Sequence, residues 1–529
     1  MRLRYTGIPI FALLTFLTVL VASCTDDWDK HYSAEPTNKS NLNLYQYIQG
    51  QTELSTFTKM LKSTGYDTIL TKSQTFTVWA PTNQALVNVD LADTAQVSKI
   101  VKNHITRFSY TTSGVVNKTI LMLNNKLIAF AKGTGGYTFG GKTIAQSDVA
   151  TKNGIIHVLS EYSPYRMNLW EFLNKTDGVD SLRNYINSLT VLQLDTAASY
   201  KDGYFVSNVY KSTNKALTYL GKLKTEDSIY TAILPDNAAW SEAYSRILPY
   251  YNALDKDGGV AAQIANTKWT LIQDLIFRGV KSLPIATDSI YSTYGHGFAN
   301  PNRLFAGSTV TEMSNGLSYV TSQLKNSATE SWFKEIRIEG EDALNGRVVS
   351  NYTGTSVTSI GTGFNISKGY YVRLDPTTSS SISKLFVMFP IPNTLSAKYD
   401  IYCVFVPTSI VDPTDVRPNK VRFYLSYVNS SGVQVTNATV DINHTVQLPN
   451  PAKVSAVFTT TPTTQPEEML VVSGFQFPYA NLVKRLDYIS SLLPTVSLKV
   501  ENAAGVSSSE LANFNRTLRI DCIILKPVQ

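Results

Sequence analysis

His157 is the residue best placed to do chemistry in this 529-residue chain, since an imidazole can act as a base or a metal ligand near neutral pH. It stands alone. The five histidines, at 31, 104, 157, 296 and 444, are scattered, and neither Gly-x-Ser-x-Gly nor His-Glu-x-x-His occurs. Gly133-Thr-Gly-Gly and Gly361-Thr-Gly lack the lysine and the strand-to-helix setting of a phosphate loop. A carboxylate pair for glycoside cleavage is defined in space, not along the chain, and nothing in the sequence selects two. No catalytic residue is assigned.

The elements that must position His157 belong to a pattern of three anchors that occurs twice in the same order. The first copy runs Asn43-Leu-Tyr-Gln-Tyr-Ile48, Phe76-Thr-Val-Trp-Ala-Pro-Thr-Asn-Gln-Ala-Leu86 and Asn153-Gly-Ile-Ile-His-Val-Leu159. The second runs Asn168-Leu-Trp-Glu-Phe-Leu173, Tyr230-Thr-Ala-Ile-Leu-Pro-Asp-Asn-Ala-Ala-Trp240 and Asn315-Gly-Leu-Ser-Tyr-Val320. Asn43 is a helix N-cap type, Thr75 to Trp79 has strand composition ended by Pro81, and Thr82 or Asp236 can cap the helix that follows. Asn153-Gly154 and Asn315-Gly316 supply a positive-φ turn into a strand. Tyr319 stands where the first copy has His157. A catalytic base would not survive that exchange, whereas a packed aromatic with a polar handle would.

Thr-Phe-Thr-Val-Trp-Ala-Pro-Thr-Asn-Gln-Ala-Leu resembles the first signature of fasciclin (FAS1) domains, and Asn-Gly-Ile-Ile-His-Val-Leu resembles the second. Asn103-His104-Ile105 sits where that family often has an Asn-His pair. The resemblance covers about 43–165 throughout and 168–325 in divergent form. The second copy is longer, and Tyr200-Lys-Asp-Gly-Tyr-Phe suggests an added hairpin. The resemblance implies compact α/β wedges that serve in adhesion and matrix contact.

At the N-terminus, Met-Arg-Leu-Arg precedes an apolar run from Ile8 to Ala22 and then Cys24. That run is short of the about 20 residues a bilayer helix needs and suits a secretory signal. Val21-Ala22-Ser23-Cys24 resembles the lipobox of bacterial lipoproteins, in which the cysteine is lipidated; an ordinary signal peptide holding a cysteine is the alternative. Thr25-Asp-Asp-Trp-Asp29 resembles the surface-export signal of Bacteroidota lipoproteins. These resemblances imply a signal peptide over 1–23, a polar tether over 24–42, and an outer-membrane lipoprotein anchored through Cys24 and facing the cell exterior. Cys403 and Cys522 could form one disulfide in such a compartment or remain as two buried thiols.

Beyond Lys325, strand-like runs at Ile336–Ile338, Tyr370–Leu374, Lys384–Phe389, Tyr399–Val406, Val421–Tyr427 and Leu518–Leu525 alternate with Ser/Thr/Pro/Gly loops, and only Tyr479 to Leu493 looks helical. That texture predicts an antiparallel sandwich over 331–529. Arg337-Ile-Glu-Gly-Glu-Asp-Ala343, Ala397-Lys-Tyr-Asp-Ile-Tyr-Cys-Val-Phe405 and Arg519-Ile-Asp-Cys-Ile-Ile-Leu525 resemble strands of carbohydrate-binding, galactose-binding-like jelly rolls. In those, acidic residues of the opening and closing strands hold a structural calcium, which makes Glu339, Glu341 and Asp521 candidate ligands. Solvated carboxylates on strand edges are the alternative. Trp332, Tyr352, Tyr370 and Tyr371 could stack on a sugar or equally fill a core.

The fold expected is α+β and multidomain, two FAS1 wedges followed by the sandwich. With 43% hydrophobic and 16% charged residues the chain is globular, and its formal charge of +7 forms no basic block, so nucleic acid is excluded as a partner. The expected function is non-catalytic: adhesion or extracellular ligand binding, to a protein or a polysaccharide. The alternative is a glycan-binding accessory of a polysaccharide-uptake system.

Overall fold

The computed structural model describes residues 40–361, 363–377, 384–450, 453–482 and 495–529. The N-terminal signal, Cys24, most of the tether and most of the helix expected over 479–493 lie outside the described residues. The described residues up to Glu171, with Lys224–Ser228 and Glu312–Asn315, form one compact unit; Phe172–Leu223, Ile229–Thr311 and the described residues from Gly316 onward form another.

In the first unit a seven-stranded sheet is centred on two parallel neighbours, Phe76–Pro81 and Gly154–Leu159. Both strands are buried along their whole length, and this is why they read as continuous apolar runs. Val78, Ala80, Ile156 and Val158 face a core with the helices Leu44–Gln49, Ser55–Ser63 and Thr94–Asn103. On the other face Trp79 and Leu159 join Phe130 and Phe139 from the outer strands.

The parallel register is locked at its start. Phe76 lies opposite Gly154, and a Cβ on Gly154 would stand 1.9 Å from the Phe76 carbonyl oxygen, at a φ of +156°. Only glycine admits that approach. Asn153 secures the same point: its Oδ1 accepts from the Leu44 N–H (2.8 Å), and its amide donates to the Leu70 and Lys72 carbonyls (2.8 and 2.7 Å).

The second unit contains the same arrangement. Tyr230–Pro235 runs parallel to Gly316–Thr321, with Tyr230 opposite Gly316, and a Cβ on Gly316 would stand 1.7 Å from the Tyr230 carbonyl oxygen. An antiparallel strand flanks each pair, setting Phe76 opposite Arg107 and Tyr230 opposite Arg278. The added hairpin is present at Tyr200–Lys201 and Tyr204–Phe205, beside a ribbon that pairs Thr190–Leu194 with Tyr210–Asn214.

The rest of the second unit is two antiparallel sheets. Ile338, Val372, Leu374, Ile401, Cys403, Phe423, Leu498, Val500 and Ile520 are among their buried residues. The opening strand Ile336–Glu339 lies beside the closing strand Leu518–Pro527, with Glu339 opposite Cys522. Cys403 faces Ile523 across the ladder, whereas Cys522 clusters with Val404 and Ile524. The pleat therefore points the two thiols to opposite sides of the sheet, and both are free and buried.

Several sequence expectations need correction. Pro81 is the last residue of its strand rather than its stop, and Thr82 precedes one 3₁₀ turn, Gln84–Leu86, instead of a helix. Asn481 makes a bridge with Thr394, so the described start of the segment from Tyr479 is not helical. A helix at Ser508–Asn513 was not expected, although Ser507 caps it through the Glu510 N–H (3.3 Å). Strands at Tyr352–Ser359, Gln434–Val440 and Glu467–Gln476 also went unread, because their Thr, Ser, Asn and Gln content resembles loop composition.

Gly154→Ala is expected to destabilise the protein by on the order of 3 kcal/mol in denaturant melts, because the methyl group displaces a ladder strand. A loss below about 1 kcal/mol would contradict the close approach.

Candidate functional site

The polar residues of the repeated anchors turn inward. Asn83 accepts from the Thr56 N–H (2.8 Å) and donates to the Thr52 carbonyl (2.9 Å), and Asn237 likewise accepts from the Ser181 N–H (2.9 Å). Thr77 Oγ1 donates to the Phe108 carbonyl and accepts from the Tyr110 N–H, both at 2.8 Å. Thr231 repeats this with the Gly279 carbonyl and the Lys281 N–H, both at 2.9 Å.

His157 is fully buried, with its ring 5.5 Å from that of Trp79. Its Nδ1 accepts from the Asp148 N–H (3.3 Å), which leaves Nε2 to donate to the Tyr110 carbonyl (2.9 Å). Burial pushes its pKa down, so the ring is held neutral. Tyr319 does the same work, its hydroxyl donating to the Lys281 carbonyl at 2.8 Å. Imidazole and phenol are two solutions to one fastening problem. His104 is equally buried, donating from Nδ1 to the Ile100 carbonyl (2.8 Å) and accepting at Nε2 from the Ser163 N–H (3.0 Å). Burial lowers its pKa to about 4.

Glu339 and Asp521 do converge, and with Cys522 they place three potential ligand atoms within 4.8 Å of one another. The Ser367 N–H donates to both Asp521 oxygens (3.2 and 3.1 Å), and Ser367 Oγ donates to Glu339 Oε1 (2.8 Å). Gly340 lets the opening strand close on the last one: its N–H meets the Asp521 carbonyl at 2.6 Å, where a Cβ would clash. Glu341 stands outside the 4.8 Å group. Its carboxyl is nonetheless raised, by burial and then by the Glu339 charge. Burial pushes Asp521 up to about 6, with Glu339 and Glu341 adding to it.

Glu339 Oε2 and Glu341 Oε2 are buried without a hydrogen-bond partner. Orphaned anionic oxygens in a like-charge cluster fit a hard divalent cation, with Glu339, Asp521 and, at the margin, Glu341 as its donors. Cys522 is a poor fourth: its sulfur accepts from Arg337 (3.4 Å), and burial raises its thiol, which keeps it protonated. The tyrosines disperse instead. Trp332 and Tyr371 are buried, while Tyr352 and Tyr370 lie at opposite ends of one hairpin, too far apart for a single stacking platform.

With the inward-facing asparagines, Thr77 and His157 in place, the comparison with known families is direct. Residues 52–162 match the fasciclin domain. Among solved structures, the chain is similar to a FAS1 domain pair of the insect cell adhesion molecule fasciclin I, at 13% identity and a TM-score of 0.21, covering 53% of this chain and 98% of that one. It is also similar to a family 35 carbohydrate-binding module from Clostridium thermocellum (9% identity, TM-score 0.19, 37% of this chain and 99% of that one). A xylan-binding domain of family 22 gives 12% identity and a TM-score of 0.20, covering 36% and 92%. No curated protein matches.

Two polar centres escaped the sequence reading. Beside the fasciclin domain, buried Lys126 reaches Glu171 (2.8 Å), Glu226 (2.7 Å) and Ser314 Oγ (3.2 Å). In the second unit, buried Asp274 accepts from Ser292 Oγ (2.7 Å), His296 Nδ1 (2.9 Å) and the Ser331 hydroxyl. The partners are far apart in sequence, and no motif links them. Two clefts of the first unit, of about 290 and 330 Å³, are lined without any pair of carboxylates.

His104 makes the fold acid-sensitive. Because its folded pKa is depressed, its contribution is whole above about pH 6.5 and is lost as pH falls toward 4, at up to about 1.4 kcal/mol per pH unit. Urea melts across that window should show the loss, and His104→Gln should flatten the profile, leaving the smaller slope due to His157. An unchanged slope in the variant would contradict the assignment.

Proposed function

We propose that this chain is a non-catalytic cell-surface protein that binds an extracellular ligand through its fasciclin domain and a divergent second copy over 168–325. A lipid on Cys24 would hold it at the outer membrane, facing outward. The observation that carries the reading is the inward use of the motif side chains: His157 and Tyr319 both spend their polar atoms on a backbone carbonyl. What remains for a partner is surface, not a reactive group.

A second reading, polysaccharide capture by the C-terminal sandwich, is favoured by the acidic cluster. A calcium ion held by Glu339, Asp521 and Glu341 would tie the opening strand to the closing one and fix the turn at Ser367–Gly369. Calcium would then raise the melting temperature, by the equivalent of about 2.7 kcal/mol at a hundredfold excess over Kd. Asp521→Asn should abolish the shift, and no shift at any calcium concentration would remove the metal from the account.

The two readings separate in one binding experiment. The full chain, immobilised, is offered extracellular matrix proteins and a polysaccharide panel in parallel, with calcium and with chelator. Saturable retention of a protein without turnover supports adhesion. Saturable, chelator-sensitive retention of a polysaccharide supports glycan capture. Hydrolysis of any of them that is lost in His157→Gln would overturn both.

A further inference from the structure

The ribbon formed by Thr190–Leu194 and Tyr210–Asn214 belongs to neither reading. It is a two-stranded sheet, so each strand has a free edge among the described residues. Two-stranded ribbons are marginal by themselves, yet every residue of Thr190–Leu194 is exposed. That strand has no charge and no proline, the usual guards against edge-to-edge pairing.

Its two faces differ. Leu192 and Leu194 share one face with Tyr210, while Gln193 and Lys211 share the other. Leu192 is 75% exposed. The adjoining hairpin extends the apolar side, being tied to the ribbon through Ser199, whose carbonyl accepts from the Val206 N–H and whose hydroxyl accepts from the Val209 N–H (both 2.9 Å). Tyr200, Tyr204, Phe205 and Tyr210 are 53–78% exposed, and at about 150–250 Å² per aromatic side chain they alone offer roughly 500 Å². The largest patch on a typical monomer is about 300–600 Å². The exposed valines and leucines beside them extend this toward the about 800 Å² per partner of a standard interface.

We infer that this surface is a homodimer contact, in which Thr190–Leu194 pairs antiparallel with the same strand of a second copy. The strand is self-complementary about its middle residue. A twofold axis at Leu192 sets Thr190 opposite the copy's Leu194 and keeps the apolar face continuous over four strands, an isologous contact that closes. A second copy suits the patch because the ribbon supplies both the free edge and the matching apolar face, with its charges, Lys211 and Asp195, already paired at 3.5 Å.

Sedimentation velocity on the full chain at micromolar concentration tests this. The wild type should sediment as a dimer, and Leu192→Lys should halve the sedimenting mass with no change in melting temperature. Tyr204→Lys, on the adjoining hairpin, should weaken the dimer independently. A monomeric wild type, or a dimer that survives both substitutions, overturns the proposal.

Discussion

The first unit depends on one constraint, the closeness with which Gly154 approaches the Phe76 carbonyl at the start of a parallel strand pair. Parallel neighbours have no hairpin to set their register, so the register must be fixed by a local clash and local hydrogen bonds. Gly154 supplies the clash that any other residue would suffer, and Asn153 supplies the bonds, to Leu44, Leu70 and Lys72. Once the pair is set, Trp79 comes opposite His157 and both sheet faces can fill. In the second unit Gly316 meets Tyr230 in the same way.

That constraint explains why motif residues that look reactive are not free to react. His157 must present a donor to the Tyr110 carbonyl from inside a stack of aromatic rings, and a phenol at 319 meets the same demand. The sandwich has a comparable lock, with a different consequence. There the two terminal strands meet at Glu339 and Cys522, and the junction gathers carboxylates whose charges oppose one another. One lock is finished by hydrogen bonds; the other leaves two buried oxygens without a partner.

Much of this was legible in the sequence, for identifiable reasons. The anchors were readable because each is local: Asn43 caps through the Gln46 N–H three residues on, and Asp236 through the Ala239 N–H. The pairing of opening and closing strands, and with it the meeting of Glu339 and Asp521, was legible through short motif resemblance. Lys126 was not, because its partners Glu171 and Glu226 lie 45 and 100 residues away. Nor were polar strands such as Tyr352–Ser359, whose exposed residues carry no alternation to read. The sugar-stacking aromatics illustrate the converse failure: residue type was right, but only burial could show that Trp332 packs with Tyr250 instead of facing solvent.

The central claim is that the fasciclin motif residues are fasteners within a rigid scaffold. Amide hydrogen exchange on the full chain tests it most directly. The account predicts that Phe76–Pro81 and Gly154–Leu159 are among the slowest-exchanging segments, with Tyr230–Pro235 and Gly316–Thr321 matching them in the second unit. Rapid exchange around His157 would contradict it, since a motif strand that opens readily would leave the imidazole available for chemistry.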